Sequence, residues 1–317
     1  MDLNRDAMLV GLRISAWSGR LYDREASDHV AAHHDASTTV GRYNKRLLPK
    51  AALAPLNATM NEARTRHYSN SLPWDDKGSR LLTVANYEHY NQLMEGLRER
   101  LVRERARFIE DYDDYVEQAR IDLGKLFRIG EYPSKEDLRD RFSIRYRITP
   151  VPDADHFIAR LASDDTERVK RDIELHIKEQ LHDAVGDLYR RLAEAVERVS
   201  ERLTEDDDGK PLVFRDTMIS NIRDLVDVVP RLNIFGDHRL AGLCEQVKER
   251  IAGVEPDWLR PSGSFNPVVR AQVKRDADGL MEQFTGYFPA PQPEAAREVA
   301  GCHPARSGNP QSASATA

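Results

Sequence analysis

A cationic run is the part of the sequence best suited to bind a ligand. Residues 41–50 read GRYNKRLLPK and contain four cations and one tyrosine, with no acidic residue. Lysine and arginine bind phosphate oxygens, and a tyrosine ring stacks on nucleic-acid bases. The segment therefore indicates a nucleic-acid-binding loop that uses Arg42, Tyr43, Lys45, Arg46 and Lys50. The alternative is a solvated or internally paired basic surface.

A second cationic feature lies on a predicted helix. Arg100, Arg103 and Arg107 are spaced three and seven residues apart, which places them on one helix face. This face is a further candidate for nucleic-acid contact. Glu99 stands four residues before Arg103 and can pair with it, so part of the charge is expected to be neutralised locally.

Two histidines have the spacing of metal ligands. His29 and His33 are four residues apart, so both rings lie on the same face of a helix, as in many zinc sites. Val30 follows His29, where the zinc-protease motif has glutamate. The spacing identifies no third ligand. A metal-dependent hydrolase is therefore one alternative, and a solvated polar helix end is the other.

Motifs of nucleotide-binding and nucleophilic enzymes are absent from the sequence. It contains no GxxxxGK[ST] loop, no GxGxxG loop and no GxSxG elbow. Acidic pairs such as Asp113–Asp114 fall at predicted turns or on charged helix faces, where solvation explains them. We therefore expect no cofactor and no catalytic residue.

Composition excludes several classes of protein. The 317 residues carry 47 Lys and Arg against 53 Asp and Glu, which gives a net charge of −6. Mild acidity argues against a protein that coats nucleic acid with its whole surface. No apolar run is long enough for a membrane span, and the N-terminus lacks the pattern of a secretory signal. We expect a cytoplasmic protein without membrane contact.

Two long amphipathic patterns predict a mostly α fold. In residues 87–129 and again in 164–204, apolar residues recur at steps of three and four, with one gap of seven residues in the first pattern. Helices of this length must bury their stripes against other helices or another copy. The simplest arrangement is a long antiparallel helical hairpin. The mean step of the second stripe, close to 3.8, argues against a regular left-handed coiled coil.

Two segments alternate with the period of a β-strand. Phe142, Ile144, Tyr146 and Ile148 alternate with polar residues, and residues 8–15 show a similar pattern. A lone strand leaves its backbone groups unpaired. We therefore predict that segments 8–15 and 142–149 pair as a small two-stranded β element.

The remaining patterns complete the domain prediction. Shorter helices are predicted near 22–35 and 50–68, and additional C-terminal helices over 214–229, 237–252 and 266–287. We predict a long-helix domain with the β element over 1–212, and a C-terminal helical region over 213–288. The composition of residues 289–317 predicts a disordered tail.

Short stretches suggest a family resemblance. ISAWSGR, YNKRLLP and SLPWDDKGSRLL, with the long charged helix after them, resemble a group of mostly helical phage and prophage proteins of unknown function. The resemblance covers about residues 8–160 of the sequence. It implies a mobile-element setting beside replication, recombination or ATPase genes, and it implies no catalytic residue.

The leading hypothesis from the sequence is a non-enzymatic helical interaction protein of phage or mobile-element origin. It would assist nucleic-acid transactions or a partner ATPase, and it would bind a protein partner or itself. Direct nucleic-acid binding through the basic N-terminal loop is the first alternative, and a metal-dependent hydrolase is the second.

Overall fold

Helices make up most of the chain in a computed structural model that describes residues 3–75, 78–151, 163–261 and 264–285. Up to residue 151 they are α1 (Leu3–Asp6), α2 (Arg24–His33), α3 (Ala54–Ser69), α4 (Val84–Glu110), α5 (Tyr112–Leu123) and α6 (Lys135–Arg141). From residue 163 onward they are α7 (Ser163–Arg202), α8 (Asp216–Leu232), α9 (His238–Val247), which continues as a π-helix (Lys248–Ala252), α10 (Pro256–Leu259) and α11 (Pro267–Thr285). The mostly α prediction is confirmed. The predicted disordered tail, residues 289–317, lies outside the described residues.

The strands form a sheet and a separate ribbon. They are β1 (Ala7–Ser15), β2 (Arg20–Tyr22), β3 (Asn44–Arg46), β4 (Leu72–Pro73), β5 (Arg80–Thr83) and β6 (Ser143–Pro150). The sheet is antiparallel, with the strand order β4–β5–β1–β6, and β2 pairs with β3 in the ribbon. The β element predicted as two strands is therefore part of a four-stranded sheet.

The predicted pairing of the two alternating segments is confirmed. Met8 lies opposite Pro150 and Ser15 lies opposite Ser143, so the ladder extends along nearly all of both strands. Alternate side chains of an antiparallel ladder point to opposite faces. On one face Val10 and Ile144 are buried in the N-terminal core. On the other face Ala7 and Leu9 are buried in the C-terminal core.

The N-terminal core forms where α4 packs on α3. The buried residues of α4 are Asn86, Tyr90, Met94, Leu97, Leu101 and Phe108. Four of them belong to the predicted stripe, whereas Met94 is buried in place of the predicted Leu93, which is only half-buried. The helix predicted over 87–129 is divided, because α4 ends before Asp111 and α5 begins after it. Asp111 has a ψ of 1°, which departs from the helical value of about −42°.

The C-terminal core forms around the second half of α7. From Ala184 onward this helix buries an apolar stripe, mainly against α8 and α11, that includes Leu188, Leu192, Val196 and Val199. Helix α7 has 40 residues. None of the described helices, α7 included, carries an apolar stretch able to span a bilayer.

The two long helices pack mainly on other elements and not on each other. The stripe of α4 is covered by α3, and the stripe of α7 is covered by α8 and α11. The two stripes therefore belong to separate apolar clusters. In this respect the structure differs from the predicted antiparallel hairpin. An amphipathic helix needs only apolar cover, and here helices other than the opposite long helix provide that cover.

A buried histidine makes the stability of the N-terminal core depend on pH. His67 Nδ1 lies 2.8 Å from the Tyr90 hydroxyl, and both residues are buried. Burial and the nearby Arg80 charge lower the pKa of His67 to about 4. The unfolded chain binds a proton near pH 6.5, whereas the folded chain resists protonation down to about pH 4. Acid therefore favours unfolding in this range.

We expect the free energy of unfolding to fall by about 3 kcal/mol as the pH decreases from 6.5 to 4, on account of His67 alone. Urea unfolding at several pH values measures this change. The double variant His67→Phe/Tyr90→Phe removes the titrating ring together with its hydroxyl partner, so its unfolding free energy should change less over the same range. Equal pH dependence in the two proteins would show that His67 is not responsible.

Candidate nucleic-acid interface

The basic segment 41–50 leads from α2 into β3 and then toward α3. Its backbone is fixed to the start of α2, because the Tyr43 N–H donates to Ser27 Oγ at 2.8 Å and the Tyr43 carbonyl accepts from the Asp23 N–H at 3.0 Å. The side chains of Tyr43 and Lys50 are exposed. The segment is therefore an ordered surface element that presents part of its charge to solvent.

Lys45 points inward and is only 1% exposed. Its ammonium lies 2.8 Å from Asp23 Oδ2 and 2.7 Å from Glu131 Oε2, and it donates to the Leu126 carbonyl at 3.0 Å. Burial opposes the charged form, but hydrogen bonds to Asp23 and Glu131 outweigh it and raise the pKa of Lys45. Lys45 therefore holds the fold together and is not available to phosphate, which corrects its predicted role.

The opposite face of the β2–β3 ribbon is cationic. Arg20 lies directly across the ladder from Arg46, and Tyr22 lies across from Asn44. Residues opposite each other in an antiparallel pair project to the same side. The guanidinium of Arg42 lies 5.7 Å from the centre of the Tyr22 ring. We name the set Arg20, Tyr22, Arg42 and Arg46 the ribbon face.

The arginines of the ribbon face are free to bind an external anion. All three are exposed, and within the described ranges no carboxylate forms an ion pair with them. Arginine binds phosphate through two parallel hydrogen bonds, and an exposed tyrosine provides a surface for base stacking. The ribbon face therefore combines the two kinds of group that bind single-stranded nucleic acid.

The predicted face of Arg100, Arg103 and Arg107 does not form a common anion site. Arg100 turns toward α3, where it pairs with Glu62 and its Nε donates to Thr59 Oγ1 at 2.9 Å. Arg103 lies 3.9 Å from Glu99, as expected from their spacing. Arg107 is exposed. Intramolecular pairing thus takes up much of this charge.

The structure places His29 and His33 on the solvent side of α2. Both rings are exposed. Across the ranges that the structure describes, no group of three or more His, Cys, Asp or Glu side chains is arranged to hold a metal ion. The two histidines therefore have no recognisable third ligand in this part of the molecule.

Arg20 and Tyr22 are site residues that the sequence patterns did not reveal. Arg20 belongs to ISAWSGR, which resembles a turn, and β2 has only three residues. Three residues are too few for an alternating pattern to be recognised. Segment RLY combines a cation with two residues that strands tolerate, but NKR contains no residue that favours a strand, so the sequence offered no signal for the ribbon.

Comparisons with protein-family models, with curated proteins and with solved structures find no match to this chain.

Proposed function

We propose that this chain is a non-enzymatic accessory protein of a phage or other mobile element, and that it binds nucleic acid through the ribbon face. The observation that supports this proposal most directly is the pairing of Arg20 with Arg46 across the β2–β3 ladder, beside Arg42, whose guanidinium lies 5.7 Å from the centre of the Tyr22 ring. The resemblance of residues 8–160 to phage-encoded proteins supports a role in replication or recombination, or beside a partner ATPase.

Electrostatics favours a polyanion as the ligand. Like charges directly opposite each other in a ladder destabilise it, and neither β2 nor β3 contains an acid to offset the Arg20–Arg46 pair. A phosphate bound between the two guanidinium groups would convert this repulsion into attraction. Tyr22 favours nucleic acid over other polyanions, because only nucleic acid offers bases that stack on its ring.

Fluorescence anisotropy with a labelled 20-nucleotide single strand tests the proposal. The triple variant Arg20→Gln/Arg42→Gln/Arg46→Gln should bind at least tenfold more weakly. If each arginine contacts one phosphate, the slope of log K against log salt should fall by about 2. The matched control Lys248→Gln/Arg250→Gln/Arg275→Gln removes three exposed cations from the C-terminal helices, and it should bind nearly like the wild type.

Two results would contradict the proposal. One is the absence of wild-type binding at 50 mM salt. At this salt concentration, the affinity that phosphate contacts provide is expected to be about tenfold or more higher than at 200 mM. The other is equal affinity of the ribbon variant and the control variant. Lys45 is left unchanged in the design, because its loss would disturb the fold.

Self-association is a second candidate function, favoured by the first half of α7. Val169, Ile173 and Ile177 are only half-buried there, and Leu175 is 58% exposed. Residues 168–171 carry three cations, whereas residues 172–183 carry four acids and one lysine. Two antiparallel copies of this segment would therefore place basic stretches against acidic ones.

Light scattering tests the self-association. The wild type should form a dimer, and Leu175→Glu/Ile173→Glu should shift it to a monomer because the two carboxylates interrupt the apolar contact. Leu175→Gln alone serves as the milder control and should weaken the dimer less. A wild type that stays monomeric at 100 µM, on the order of the concentration where weak complexes form, contradicts this candidate.

A further inference from the structure

A second cationic surface lies on the sheet, away from the ribbon. Beyond the buried Ala7 and Leu9, the residues of β1 and β6 on the side away from the N-terminal core are Gly11, Arg13, Ser15, Ser143, Arg145, Arg147 and Thr149. Arg13 lies directly opposite Arg145, and Gly11 lies directly opposite Arg147. All three arginines are exposed. We name Arg13, Arg145 and Arg147 the sheet face.

Among the residues that the structure describes, no carboxylate balances the charge of the sheet face. Neither β1 nor β6 contains an acidic residue. Within residues 3–75, 78–151, 163–261 and 264–285, no ion pair involves Arg13, Arg145 or Arg147. No carboxylate of the described ranges therefore relieves the unfavourable like-charge pairing of Arg13 opposite Arg145.

The fold covers only part of this side of the ladder. Ala7 and Leu9, on the same side of β1, are buried under the C-terminal core, and the cover ends before Arg13. At Gly11 no atom of the described residues lies within 4 Å of where a Cβ would be, so this part of the molecule leaves the space above the sheet open. The hydroxyls of Ser15, Ser143 and Thr149 add hydrogen-bond donors suited to phosphate oxygens.

We infer that the sheet face binds phosphates of the same nucleic acid that the ribbon face holds. This inference rests on the function proposed above and deepens it, because it assigns a second contact and a longer footprint. Arg13 and Arg20 are seven residues apart in the chain, so their Cα atoms are separated by at most about 25 Å. At the rise of about 3.4 Å per nucleotide that a strand has in B-form DNA, this upper bound corresponds to roughly seven nucleotides, and a more extended single strand covers it with fewer.

The test uses three matched triple variants in the anisotropy assay with labelled 20-nucleotide single strands. The sheet variant is Arg13→Gln/Arg145→Gln/Arg147→Gln, and the ribbon and control variants are those described above. We expect the sheet variant to bind at least tenfold more weakly than the control variant and to lower the salt slope by about 2. Its melting temperature should equal or exceed that of the wild type, because the like-charge pair is removed.

A single substitution gives an independent test that keeps every arginine. Gly11→Glu places a carboxylate opposite Arg147, in space that the structure leaves open. It should weaken binding at least threefold, whereas Gly11→Gln, of the same size, should weaken it less. A series of 6-, 10-, 14- and 20-nucleotide strands should show affinity rising beyond 6 nucleotides in the wild type but levelling off earlier in the sheet variant.

The outcomes separate the two proposals. A sheet variant that binds like the control variant, while the ribbon variant binds weakly, overturns the sheet face and leaves the ribbon face intact. The reverse result overturns the ribbon face and with it the shared footprint, and it supports only phosphate binding at the sheet face. A wild type that binds no strand overturns both. Binding of polyglutamate at least as tight as that of the 20-nucleotide strand also overturns the sheet face as a nucleic-acid site.

Discussion

Lys45→Met is expected to lower the free energy of unfolding by about 3–5 kcal/mol, the usual result of removing one partner from a buried ion pair. The substitution leaves the carboxylates of Asp23 and Glu131 without their shared cation, and the Lys45 side chain is fully buried between them. Asp23 is also the N-cap of α2, where its carboxylate accepts a hydrogen bond from the Ala26 N–H. Removing the Lys45 ammonium from Asp23 is therefore expected to destabilise the start of that helix as well. Urea unfolding followed by circular dichroism measures the change.

The neighbouring arginine provides the control for Lys45. Arg46→Met removes an exposed cation one residue away and should change stability by less than about 0.5 kcal/mol. The triple variant Lys45→Met/Asp23→Asn/Glu131→Gln removes all three charges together and should recover part of the loss, since Asn still caps α2. If Lys45→Met and Arg46→Met have equal effects, the buried triad does not stabilise the fold.

The triad also predicts two limits on the pH range of stability. Because the pKa of Lys45 is raised above 10.5, its contribution is present at lower pH and is lost as the pH rises through its folded value. A hydrogen bond from the Ala26 N–H and one from Lys45 lower the pKa of Asp23 below 3.8. Its contribution is therefore present at higher pH and is lost as the pH falls through the lowered value.

Arg270→Met is the other substitution with a large expected effect, about 3 kcal/mol or more. The guanidinium of Arg270, in α11, is buried and donates to the carbonyls of Leu259 at 2.6 Å, Arg202 at 2.8 Å, Leu212 at 3.2 Å and Thr204 at 3.3 Å. These carbonyls come from the end of α7, the segment after it and α10. Without Arg270, four carbonyl groups lose a hydrogen-bond donor. Each carbonyl that stays buried without a partner lowers the free energy of unfolding.

The geometry of arginine is the basis of this second prediction. Arg270→Lys keeps the charge but offers donors from a single nitrogen, so it should restore less than half of the lost stability. Arg275→Met changes an exposed arginine of the same helix and should have an effect below about 0.5 kcal/mol. Thermal unfolding followed by tryptophan fluorescence, with Trp258 near the site, compares the three variants. Full rescue by lysine would refute the multiple-carbonyl explanation.

Long elements were predictable from the sequence because their patterns repeat. The pairing of β1 with β6 rested on eight or nine alternating residues, enough to define both faces of each strand. Strands β4 and β5, with two and four residues, carry too little alternation to be recognised. The break at Asp111 was also missed, because apolar residues continue through it in helical spacing.

The candidate site was only partly predictable because its partners are distant in the sequence. Lys45 looks like its exposed neighbours, and its burial depends on Glu131, 86 residues later. The polar side of β6, with Arg145 and Arg147, was recognised from alternation alone. The arginine cluster on this side of the sheet could not be predicted, because it depends on the strand register that brings Arg13 opposite Arg145. Local composition identifies charge, but only the fold determines which charges remain available.

The central ladder also has a consequence for synthesis of the protein on the ribosome. Every β1 residue that pairs with β6 has its partner at least 128 residues later in the chain. At translation rates of about 5–20 residues per second, β1 emerges on the order of ten seconds before β6. During that time one edge of β1 is open to pairing with other nascent chains. Shielding by a chaperone is therefore most valuable to this protein before residue 150 has been translated.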